Sequence, residues 1–164
     1  MEGEFSSVST PALVSEITTL AGHLNAGNAR FLGLIAELDR RRGWAEEGVK
    51  SMAHWLNWQC GIGLGAAREK VRVARALETL PREAAAMADG RVSYFKAREI
   101  TRVATPANED YLLNIALRGT ASHVEDVVRG YRRALDAEEL SREALQQRDQ
   151  HLWFHTEPDG SMTL

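Results

Sequence analysis

One segment of this chain is written twice. "GLGAAREKVRVARAL", Gly63–Leu77, is echoed thirty residues on by "SYFKAREITRVATP", Ser93–Pro106. Without a gap, Ala67-Arg68-Glu69 falls on Ala97-Arg98-Glu99, and Arg72-Val73-Ala74 falls on Arg102-Val103-Ala104. Two explanations compete. Either the arginine-bearing helix grips something negative, or the fold uses one helical packing unit twice.

In the first copy Arg68, Arg72 and Arg75 are spaced i, i+4 and i+7, which puts three guanidinium groups on one helical stripe. Leu64, Ala67, Val71 and Ala74 make the adjoining face, which is expected to pack inward. With the helix before it and the glycine-bounded "GIGLG" turn, the segment has the outline of a helix-turn-helix. The second copy holds Lys96, Arg98 and Arg102 in the same relation to its own "GRVS" turn. These six cations are the candidate phosphate contacts. The competing account is structural: arginines beside an apolar stripe lay their stems on the core and pair with glutamates of a neighbouring helix.

The rest of the chain is also patterned for helix. Thr10-Pro11 predicts a cap followed by proline, opening a helix that runs to about Arg42. Ile17, Leu24, Phe31 and Leu38 recur every seven residues, with Leu20, Leu34 and Ile35 between them, and Gly27-Asn28 weaken the middle. A seam of this kind is either core or the surface of a homodimer. Further helices are predicted from Ser51 to Gly61 and from Pro81 to Gly90. Thr105-Pro106 opens another, and Ser122 with Glu125 forms a capping box for the last, which continues to about Gln150. After it "HLWFHTEPDGSMTL" alternates around a Glu-Pro-Asp-Gly turn, the pattern of a β-hairpin. A hairpin so close to the last residue is expected to be the start of a following, truncated segment. The expected fold is therefore all-α: a helical bundle over 1–150 with a long first helix and a duplicated helix-turn-helix-like unit, then a hairpin over 151–164.

Composition narrows the chemistry. At 164 residues the chain fits one domain, and its net charge of −3 confines any contact with phosphates to a local patch. The single Cys60 excludes an internal disulfide and a cysteine-rich zinc site. It is read as a small buried hydrophobe of a cytoplasmic protein. No apolar run reaches the ~20 residues of a membrane span. Trp55 and Trp58 read as core or near-core aromatics. His23, His54 and His123 are scattered. His151 and His155 share a strand face without a third ligand, so no catalytic residue, metal site or cofactor is assigned to this chain.

The spacing Gly48, Ser51, Trp55, Leu56, then Ala67-Arg68, Ala74-Arg75-Ala76-Leu77, Gly90-Arg91-Val92-Ser93 and Ala97 resembles a bacterial family. This is the domain of unknown function two hundred and twenty-two, or thirteen-E-twelve repeat proteins. The family places a serine cap before the first arginine helix, where this chain has Gly63. In that family the helical domain commonly precedes an HNH nuclease domain, which binds a divalent metal. The resemblance implies an N-terminal DNA-binding or targeting module, non-catalytic in itself, making weak backbone contacts with DNA. The alternative is a helical interaction module that dimerises through its first helix.

Overall fold

The computed structural model describes residue 3, residues 5–148, and the backbone of 155–156 and 162–163; side chains are described as far as residue 143, Glu47 excepted. Seven α-helices follow one another: α1 (Thr10–Arg40), α2 (Met52–Cys60), α3 (Leu64–Leu77), α4 (Pro81–Ala88), α5 (Tyr94–Ile100), α6 (Glu109–Arg118) and α7 (Ala121–Arg148). The all-helical expectation holds. Of the expected hairpin, only an antiparallel pairing of His155–Thr156 with Met162–Thr163 is described, and its turn and flanks lie outside the described residues. By contact the chain divides at Val128/Arg129 into two units, so 1–128 is one compact body and 129–164 another.

Several helix starts differ from the sequence reading. Ser9, not Thr10, caps α1: its hydroxyl accepts the Ala12 N–H, and Pro11 stands in the first turn. Gly27 and Asn28 do not interrupt α1, because Asn28 turns its amide back to the Leu24 carbonyl and the helix runs on to Arg40. Gly43 opens a 3₁₀ turn, Gly43–Glu47. Thr105-Pro106 opens no helix. Asn108 ties that segment into a turn, accepting from Thr105 N–H and donating to the Val103 carbonyl, and α6 begins at Glu109. Thr120, not Ser122, caps α7. Cys60 is exposed at the end of α2, as is Trp58, because that last turn projects past the residues it packs on.

Within the first unit α1 is the post against which α3 and α4 pack; α2 lies along α3, and α6 along α4 and α5. Leu32 and Ile35 of α1 meet a core that includes Met52, Leu56, Val73, Leu80, Met87, Val92, Ile100 and Leu112. On the same stretch of α1, Ala29, Gly33 and Ala36 line an open cleft of about 270 Å³ with Ala74, Leu77 and Ala84. The tightest approach is at Gly90, left-handed at φ 76°, where an added Cβ would stand 2.6 Å from the Gly22 carbonyl oxygen. Asn25 secures the same point by donating to the Gly90 carbonyl at 3.1 Å.

Candidate functional site

The two copies of the repeat correspond in structure as they do in sequence. α3 begins after Gly63 and α5 after Ser93, so the N-cap residues occupy matched positions. Ala67 and Ala97 are both fully buried, as are Leu56 and Ala86 in the helices before them. The turns differ in detail: a left-handed Gly61 ends α2, whereas Asp89 and a left-handed Gly90 end α4. The second arginine helix is also the shorter, because α5 stops at Ile100 where α3 runs on to Leu77.

The matched polar residues meet one another. Arg72 donates to the Arg98 carbonyl at 2.8 Å and the Thr101 carbonyl at 3.1 Å, so it caps the C-terminal end of α5, while its other edge faces Glu69. Arg102 reaches Glu69 at 3.0 Å and Glu99 at 3.2 Å, and Arg98 holds Glu99 at 2.9 Å. Burial alone would push the Glu69 carboxyl up; the hydrogen bond from Arg72 and the charges of Arg72, Arg102 and Arg98 outweigh it and leave it lowered. The Arg-Glu motif common to both copies is thus a cross-copy seam between α3 and α5, and it adds charged donors to the carbonyls at the end of α5, the Arg98 carbonyl also accepting from the Thr101 hydroxyl.

Of the six candidate phosphate contacts, five are engaged inside the domain. Besides Arg72, Arg98 and Arg102, Lys96 donates to the Ala116 carbonyl at the end of α6, and Arg75 pairs with the nearly buried Asp39 at 2.7 Å. Arg68 alone of the six is exposed with no partner among the described residues. With Arg72 and Arg75 it lines an open groove of about 330 Å³ beside Ser51 and Met52, at the N-terminal end of α2. Elsewhere Trp44 donates to Asp39, and Ser51 lies 2.8 Å from His54 Nδ1. His151 and His155 side chains lie outside the described residues. Among the described residues no three His, Cys, Asp or Glu side chains are grouped as metal ligands, and no helix is long and apolar enough to cross a membrane.

The second surface of note lies on α1. Ile17 is 66% exposed, Leu20 55%, Leu24 60% and Leu34 60%, while Phe31 and Leu38 of the same seven-residue series are half-buried. At 3.6 residues per turn, the centre of the Ile17–Leu20–Leu24–Leu34 stripe stands about a quarter of a turn from the face that carries Asn25, Leu32 and Ile35 inward. Ile17 shares the direction of Ile35 about five turns on, so its exposure comes from its place on the uncovered first turns of α1. From Thr10 to Ala21 only Leu13 is even half-buried.

These features define a class: a helical, repeat-built domain. The chain belongs to the family of the domain of unknown function DUF222, whose model matches residues 14–163. No curated protein and no solved structure matches it.

Proposed function

We propose that this domain is a helical dimerisation module, non-catalytic in itself, that assembles the protein of which it forms part through the outward stripe of α1. The observation that carries this reading is that four large aliphatic side chains at heptad spacing stand more than half exposed on one helix face. Scattered surface leucines need no explanation, but a continuous apolar stripe costs solubility unless a partner covers it. A two-stranded helical seam is what a heptad series of this kind forms. The chain's family resemblance supplies the context, an HNH nuclease domain to which a paired helical domain would lend two-fold symmetry. Replacing Leu20 and Leu24 by glutamate tests the reading. The parent chain is expected to sediment as a dimer at micromolar concentration and the variant as a monomer of unchanged helicity. A parent that stays monomeric up to the millimolar range overturns the reading.

A second reading, weak attachment to DNA, is supported by the groove at the start of α2. Its free cation is Arg68, and the backbone N–H groups of a helix N-terminus favour an anion. Comparing DNA affinity of the parent with Arg68→Gln tests it.

A further inference from the structure

We infer that two copies of this chain pair through α1 in an antiparallel register whose core layers set residue n of one helix opposite residue 44 − n of the other, with flanking residues meeting 46 − n on one side and 42 − n on the other. The inference rests on the dimerisation reading and adds its geometry. In heptad terms Ile17, Leu24 and Phe31 occupy one core position and Leu13, Leu20, Gly27 and Leu34 the other. An antiparallel pair stacks the first set on the second. The stated register sets Leu24 against Leu20 and Phe31 against Leu13, and it sets the branched Ile17 against Gly27, a large residue against a space. Each such layer occurs twice about the dyad, so Ile17, Leu20 and Leu24 are covered, and Leu34 meets Thr10 at either end.

Charge chooses the same register. The positions flanking the seam on one side are Glu16, His23 and Arg30, and on the other Val14, Ala21 and Asn28. Antiparallel helices bring like flanks together, so Glu16 meets Arg30 of the second copy, twice, and His23 lies beside its own counterpart. The uncharged flanks meet as Val14 against Asn28 and Ala21 against Ala21. Glu16 and Arg30 are both exposed, and neither has an intramolecular partner among the described residues. A parallel pair would instead set Glu16 beside Ala21 and leave both ions without partners. The antiparallel form also uses the length of the helix: the projecting first turns of each α1 lie alongside the second half of the other, on the side away from its bundle. The overlap, Thr10 to Leu34, spans about 35 Å of helix, enough for a standard interface rather than a lattice-sized one.

Cysteine pairing in the full chain, with the exposed Cys60 replaced by serine, reads the register. Ala21→Cys stands across the dyad from itself in the antiparallel form and on the outer flank in a parallel one. Ile17→Cys meets itself only in the parallel form. We expect air oxidation to cross-link Ala21→Cys quantitatively and Ile17→Cys hardly at all. Glu16→Arg is expected to weaken association roughly tenfold, since two favourable pairs become two repulsive ones, and Glu16→Arg with Arg30→Glu to restore it. A dimer that cross-links at Ile17→Cys, or whose charge swap fails to rescue, overturns the register and leaves the dimerisation reading standing. A chain that is monomeric in every variant removes both.

Discussion

Both carboxylate oxygens of Glu83 are buried without a hydrogen-bond partner, in the first turn of α4. Burial, with the charge of Glu109 added, pushes its carboxyl up to about 7 from the ordinary 4.5. Glu109 is itself buried, but its Oε1 accepts the N–H groups of Arg82 and Glu83 at 2.8 and 2.9 Å, capping a helix that has no cap of its own. One carboxylate is therefore useful and the other is a liability. The folded chain keeps a proton on Glu83 that the unfolded chain releases above about 4.5, so stability falls as pH rises from there through about 7. The gap between the two values corresponds to roughly 3 kcal/mol. Glu83→Gln keeps the shape and removes the titration. Urea unfolding should find the variant close to the parent at pH 5 and the more stable of the two at pH 8. Equal slopes of stability against pH in the two chains would show that Glu83 is ionised or solvated in the fold.

At the scale of elements, the two turns of the repeat look interchangeable in sequence and are not. Gly61 and Gly90 both adopt left-handed backbone, but nothing lies within 4 Å of a Cβ added at Gly61, whereas one at Gly90 would strike the Gly22 carbonyl. Alanine at Gly61 should cost only the conformational strain, about 1 kcal/mol. At Gly90 the obstacle is backbone of a long helix, which can move only by lifting α1 from the α4–α5 turn. The expected cost is about 3 kcal/mol or more, the strain plus an overpacking penalty. Chemical denaturation of the two single variants checks the difference; equal losses would mean that the helix is not seated on that turn. The asymmetry has a consequence for the repeat: the second unit is locked against α1, while the end of α2 in the first carries an exposed Trp58 and Cys60.

Over the whole molecule, the net charge of −3 works against long-range attraction to a polyanion. If the groove beside Arg68 does meet a phosphate, binding should be weak and indifferent to base sequence. Arg68→Gln should flatten the slope of log affinity against log salt by about 0.9, the value of one contact. An anisotropy titration across salt concentrations measures this. A parent with no salt-dependent binding would leave dimerisation as the sole reading. Pairing through α1 would double the number of grooves and align them by symmetry, so dimer-breaking variants should lose DNA affinity only if both readings hold.

Helix content, the matched starts of α3 and α5, and the burial of Ala67 and Ala97 were all legible in the sequence, because capping and 3.6-residue periodicity act over a few neighbouring residues. The existence of the repeat was equally plain. What the repeat is for was not, since a guanidinium that binds phosphate and one that caps a neighbouring helix are written with the same letter. Only packing brought Arg72 to the carbonyls of Arg98 and Thr101 and Arg102 to Glu69. The heptad stripe of α1 left two answers open in the sequence, core or homodimer surface. Packing answered by position along the helix: Leu32 and Ile35 are buried where the bundle packs, while Ile17, Leu20 and Leu24 on the earlier turns are exposed. Glu109 over the start of α4 and Gly90 against Gly22 likewise join residues far apart in the chain. Local physics determined which segments are helices; long-range contact decided which face of each was left for a partner.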